Sequence, residues 1–128
     1  MIQRLTWVYV TDNSLAQWVK VFHLYSGFRR HYTSINYYIK GSIRLVKPFI
    51  IYYKGFQVKK MQQGMIVRGL ITRQVFVCLY PTTMFCQTRL NTIVLIKKKN
   101  LFLSQYLFGP GSYKIRNKRL SLLFQYLI

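Results

Sequence analysis

Residues 39–45 read Ile-Lys-Gly-Ser-Ile-Arg-Leu, and their alternation decides the fold class. Successive side chains of an extended strand point to opposite faces, so Ile39, Gly41, Ile43 and Leu45 share one side. Lys40, Ser42 and Arg44 share the other. The stretch predicts a strand with an apolar inner face and a cationic outer one.

Short β-rich runs recur on both sides of it. They cover Trp7 to Val10, Trp18 to Leu24, Phe49 to Tyr53, Met65 to Ile71, Val75 to Tyr80 and Thr92 to Ile96. Turn signals separate them: Asp12-Asn13-Ser14, Lys47-Pro48, Lys54-Gly55, Pro81-Thr82-Thr83 and Gly109-Pro110-Gly111. Each combines residues that fix or free the backbone with side chains that bond to it. Many short strands at this spacing predict a small closed barrel or sandwich. Only 115–127 carries a helical pattern, with Leu120, Leu123 and Leu127 at a spacing near 3.6. No internal repeat, linker or low-complexity segment interrupts the chain, so residues 1–128 are read as one domain.

Charge then sets the class of partner. Twenty Lys and Arg stand against a single acid, Asp12, which gives a net charge of +19 in a chain that is 52% hydrophobic. Self-repulsion on this scale destabilises a compact state unless a counter-charge comes from outside. Nucleic acid and an anionic membrane surface are the two polyanions to weigh. Eleven Tyr, nine Phe and two Trp exclude a disordered basic tail, which lacks aromatics. A spanning helix needs roughly 20 apolar residues, and the longest apolar candidate, Val75 to Cys86, is too short and broken by Pro81. No amphipathic helix with a long basic face is visible either. A peripheral membrane protein held by anionic lipid is thus the alternative, and nucleic acid the first reading.

Catalysis is nearly excluded. Acid–base chemistry uses a carboxylate or a His in a tuned setting. The one carboxylate sits in Asp12-Asn13-Ser14, where Asp commonly bonds to the backbone of its own turn. His23 and His31 have no Cys or acidic neighbours in sequence. Cys78 and Cys86 form no paired short spacing of the kind zinc needs, and are read as two buried thiols in a reducing compartment. No metal or cofactor is expected.

The order of landmarks along the chain carries more. It opens with Met1-Ile2-Gln3 and Thr6, then Asp12-Asn13-Ser14 with Ala16 and Val19, then Gly27, Arg29-Arg30 and Tyr32. Ile39-Lys40, Ser42-Ile43, Pro48, Lys54-Gly55 and Val58 follow. Val67-Arg68, Asn91, Val94-Leu95 and Phe108-Gly109-Pro110 complete the series. In this order and near-spacing the chain resembles the universal large-subunit ribosomal protein fourteen family over almost its whole length. It departs from that family in several places. The segment between Arg68 and Pro81 is longer, which implies an extended hairpin arm. The family's Pro-Asp-Gly turn is Pro81-Thr82-Thr83, and its Phe/Tyr-Asp-Gly-Asn is Thr88-Arg89-Leu90-Asn91. Leu90 resists the positive φ that glycine allows, so the backbone there is expected to differ.

The resemblance implies a mainly β fold: a small five-stranded barrel with the extended hairpin and a C-terminal segment carrying short helices. It implies a structural, non-enzymatic role in the large ribosomal subunit. The expected partners are large-subunit rRNA, neighbouring large-subunit proteins and small-subunit rRNA across an intersubunit bridge, with no membrane and no homo-oligomer. Glu is absent and Ala occurs once, the bias of an AT-rich coding sequence such as an organelle genome. The opening residues also lack a signal-peptide core or a basic amphipathic presequence. A mitochondrial ribosome, with synthesis inside the organelle, is the expectation.

For rRNA contact the first candidates are Arg29 and Arg30 with Tyr32, a pair of guanidiniums suited to phosphate beside a ring suited to a base. Lys40 and Arg44 share one strand face. Lys54, Lys59 and Lys60 flank a glycine turn, Arg68 and Arg73 bracket the longer segment, and Lys97, Lys98 and Lys99 form a basic tip. The paired tyrosines Tyr37-Tyr38 and Tyr52-Tyr53 place one ring on each strand face, so about half must pack inside. Trp7 and Trp18 are expected in the core.

Overall fold

In a computed structural model of the chain the described residues are 1–28, 30–48, 61–76, 78–79 (backbone only), 85–97, 101–104, 106–115, 124, 126 and 127. They hold the strands β1 (Ile2–Gln3), β2 (Trp7–Val10), β3 (Ala16–Leu24), β4 (Tyr32–Thr33) and β5 (Tyr38–Val46). After these come β6 (Ile66–Arg73), β7 (Cys78–Leu79), β8 (Phe85–Cys86) and β9 (Thr92–Ile96). The expected run Phe49 to Tyr53 lies outside the described residues.

Five strands close into a barrel in the order β2-β3-β5-β6-β9. Neighbours run antiparallel except at the seam, where β2 and β9 pair in parallel through Tyr9 with Thr92 and Val10 with Ile93. Closure leaves the barrel no free edge to recruit another strand. Alternation makes the interior from Val8, Val19, Val21, Ile39, Ile43, Ile71 and Leu95, whereas Leu70 and Val94 pair on the opposite face of β6 and β9 and are buried as well. Gly41 is needed where β5 pairs closely with β3, because a Cβ at that position would sit 2.5 Å from Val19 Cγ1 and 2.7 Å from the Lys20 carbonyl oxygen.

Bulges decide where the alternation fails. Val19 pairs with Ile43 but Trp18 pairs with Leu45, so Arg44 is an extra residue on β5. Two residues then oppose one, and side chains beyond the bulge change face. Leu45, expected inside, is exposed beside Arg44 for this reason. Of the three shifts in this pairing, the one between Val21 and His23 turns both Phe22 and His23 outward before Leu24 re-enters the core.

The tryptophans also differ from expectation. Val8, Val10 and Val19 take the inward positions, so Trp7, Tyr9 and Trp18 must face out. Trp7 is 48% exposed, and Trp18 is half-buried by an edge-on contact with Tyr9 at 5.3 Å. Strand register outweighs the hydrophobicity of a single ring.

Outside the barrel, β1 and β4 pair, with Ile2 opposite Thr33, and seal Ile2 in the core. Where an extended hairpin arm is expected, β7 pairs with β8 in antiparallel register over two residues, Cys78 opposite Cys86, and residues 80–84 between them lie outside the described residues. Cys86 is half-buried, not buried as expected of a core thiol. The C-terminal segment packs by bridges between residues 12 and 107, 96 and 102, and 111 and 127. Phe102 and Phe124 meet edge-on at 6.2 Å. Its helical content among the described residues is one 3-10 turn, Tyr113–Ile115, and residues 116–123 lie outside them. Leu90 avoids the problem that its sequence poses. Among the described residues the positive-φ positions other than glycine are Leu5, Leu15, Ser26 and Asn36.

Candidate nucleic-acid interface

The electrostatics begin with Asp12, the only carboxylate side chain in the sequence. It is 2% exposed and fully engaged. Its Oδ1 accepts the Ser14 N–H at 2.9 Å, which makes the turn the sequence predicts. Its Oδ2 accepts the Leu95 N–H at 2.8 Å, which sequence gives no hint of. Burial raises its pKa above the usual carboxylate value, and the bonds from Ser14 and Leu95 and the charge of Lys47 only partly offset this. No carboxylate side chain is left on the surface to balance the cations.

The barrel pairing gathers some of those cations into a row. His23 on β3 lies opposite Lys40 on β5, and Lys40 opposite Arg68 on β6. Arg68 in turn faces Ile96 on β9, and exposed Lys97 follows directly. Lys40, Arg68, Lys97 and Tyr25 line one concavity. The Arg68 guanidinium lies over the rings of Tyr38 (4.6 Å) and Tyr25 (5.3 Å), which fixes its plane. Its Nε is buried with no hydrogen-bond partner. Tyr25 also meets His23 edge-on at 5.0 Å.

Arg44 stands on a different patch, exposed at its bulge with Leu45, near the outward Trp18 that pairs with Leu45. A third group surrounds Arg30. Its Nε donates to the Tyr32 carbonyl at 3.0 Å, and its guanidinium lies 4.2 Å from the centre of the Tyr37 ring. Tyr32 itself is 57% exposed, with its ring free for contact. Arg4, Phe28 and His31 line a shallow depression with Arg30.

Arg73 behaves otherwise. Its guanidinium donates to the Phe108 carbonyl at 2.8 Å and lies under Gly109, where a Cβ would approach it to 2.9 Å. Burial lowers its pKa from the arginine norm. It therefore acts first as a clamp between β6 and the C-terminal segment. Arg29, Lys54, Lys59, Lys60, Lys98 and Lys99 lie outside the described residues.

The structure adds His23, Arg4, Lys47 and Arg89 to the residues that sequence singles out. The residue types are legible in the sequence, but their grouping depends on pairings distant in sequence. Among the described residues no three His, Cys, Asp or Glu come together to hold a metal, and no helix is long and apolar enough to cross a membrane. Exposed cations beside exposed rings can bind phosphate and stack on bases. In comparison with models of protein families, residues 1–125 match that of ribosomal protein L14p/L23e.

Proposed function

Since the chain belongs to the ribosomal protein L14p/L23e family, we propose that it binds large-subunit rRNA in a mitochondrial ribosome. The family is one of structural constituents of the large ribosomal subunit, not of enzymes. The observation that carries the RNA reading is the burial of Asp12 in a chain of net charge +19. Every surface cation then needs its counter-charge from a partner, and rRNA phosphates supply it while condensed counterions are released. The row His23-Lys40-Arg68 and the Arg30-Tyr32 group are the surfaces proposed for this contact, with Arg44 on a separate patch.

The outward Trp7, Tyr9, Trp18 and Leu45 form a mixed aromatic and aliphatic patch, suited to a neighbouring large-subunit protein. A contribution to an intersubunit bridge through small-subunit rRNA is proposed with it, on the strength of the family resemblance alone. The mitochondrial assignment rests on the AT-type composition, without Glu and with one Ala.

Sedimentation of a mitochondrial lysate tests the reading. The chain is expected to travel with the large-subunit peak through a moderate-salt wash and to leave it after RNase treatment. A soluble, RNA-free chain would refute it. Retention on anionic liposomes after RNase would make it a peripheral membrane protein instead.

A further inference from the structure

At one end of the barrel Arg73, Lys47 and Arg89 line a single concavity together with Tyr9, Leu90 and Phe108. We propose that this concavity receives one unstacked nucleotide of a single-stranded RNA segment, its phosphate on the three cations and its base on the apolar rim. The proposal rests on the RNA-binding reading and specifies a site within it.

The walls are held in place before any ligand arrives. On one side the Phe108 carbonyl accepts from Arg73 at 2.8 Å, and the Phe108 N–H donates to the Thr11 carbonyl at 2.8 Å. On the other, the Thr88 hydroxyl lies 2.8 Å from the Gln74 carbonyl and 3.1 Å from that of Leu90. Asn91 Oδ1 accepts the Val75 N–H at 3.0 Å, and the Asn91 carbonyl accepts the Tyr9 N–H at 2.9 Å. A preformed site spends less of its binding energy on ordering.

The chemistry of the lining selects the ligand. Arg73 is partly desolvated, its Nε is buried without a partner, and the only acid in the chain is committed elsewhere. Lys47 and Arg89 are exposed at the mouth, where they can close on an anion. An acidic peptide would satisfy the charges but leave the Leu90 and Phe108 side chains, both largely exposed, without a partner. A nucleotide satisfies both, because its base presents a flat apolar face next to its phosphate. A duplex cannot, since its bases remain stacked inside.

The test measures binding of the full chain to a short single-stranded RNA, the same strand with an abasic position at its centre, and the corresponding duplex. The double variant Lys47→Gln/Arg89→Gln is expected to lose about tenfold more affinity for the single strand than for the duplex. Phe108→Ala, which keeps the backbone carbonyl that Arg73 uses, should weaken the intact strand about tenfold, within the range for one stacked base, and the abasic strand hardly at all. Equal losses on single strand and duplex, or on intact and abasic strands, would overturn the nucleotide site while leaving RNA binding intact. Oligoglutamate displacing RNA at equal concentration would overturn it in favour of an acidic partner. Failure of the unmodified chain to bind any of the RNAs would defeat the underlying RNA reading as well.

Discussion

Asp12 and Leu95 are 83 residues apart in sequence, and the Asp12 carboxylate binds the Leu95 N–H at 2.8 Å. One side chain thus joins the turn after β2 to the middle of β9, the strand beside it at the parallel seam of the barrel. Asn in its place has a single acceptor oxygen, so either the Leu95 or the Ser14 N–H must go without. Leaving a buried donor unpaired costs about 1–3 kcal/mol. Asp12→Asn is expected to lower the unfolding free energy by that amount, read from the denaturant midpoint at constant slope.

The same carboxylate has a pH signature. Burial raises its folded pKa above the ordinary 3.8. The folded state therefore holds the proton more tightly than the unfolded chain. The stabilisation from this group is complete below pH 3.8 and is lost as the pH rises through the folded value. The stability of the wild type relative to Asp12→Asn should fall over that rise. A difference that grows with pH would contradict the burial argument.

Leu5 carries a φ of 70° while its side chain is 67% exposed. Its N–H donates to the Val21 carbonyl at 2.7 Å, which holds the backbone in this conformation. An L-residue in the left-handed region costs roughly 1–2 kcal/mol, and glycine escapes that cost at some loss of chain entropy. Leu5→Gly should stabilise the protein by up to about 1 kcal/mol. A rise in melting temperature of a few degrees is the expected sign.

How far sequence carries depends on the range of the cause. The strand 92–96 has its predicted limits, because five β-favouring residues between polar neighbours need no outside information. Leu45 and the tryptophans defeat a local reading for a different reason. The face of Leu45 is set by the bulge at Arg44, opposite Trp18 and Val19, and the tryptophans face out because the valines beside them take the inward positions. The candidate interface divides in the same way. Lys40 and Arg44 are legible as outward cations from alternation alone. The row from His23 to Arg68, and the clamp of Arg73 on Phe108, depend on barrel closure and on a bond spanning 35 residues.

The close pairing of β3 with β5 gives a sharper test of the barrel. Gly41→Ala places a methyl against Val19 Cγ1 at 2.5 Å and the Lys20 carbonyl at 2.7 Å. Overpacking of this kind costs about 1–3 kcal/mol and more where backbone must shift. Adding Val19→Ala removes the side-chain clash but not the backbone one, and it opens a cavity of its own. The double variant should therefore remain well below wild type in stability. Full recovery would mean that the strands are farther apart than the structure has them.

Arg44 and Arg68 separate charge from architecture. Arg44 is exposed at its bulge, so Arg44→Gln should leave the melting temperature unchanged to within the effect of about 0.5 kcal/mol usual for surface sites. If it contacts a phosphate, the salt dependence of RNA binding should lose close to one unit of slope. Arg68 lies over Tyr38 and Tyr25 with its Nε buried, so Arg68→Gln removes a cation–π contact together with the charge. It should lower stability by about 0.5–2 kcal/mol as well as weaken RNA binding. Lysine at this position keeps the charge but loses the planar fork, so Arg68→Lys should retain most of the salt slope and still melt early. An Arg68→Lys variant as stable as wild type would place the tyrosine contacts outside the folding energy and leave Arg68 as a surface cation like Arg44.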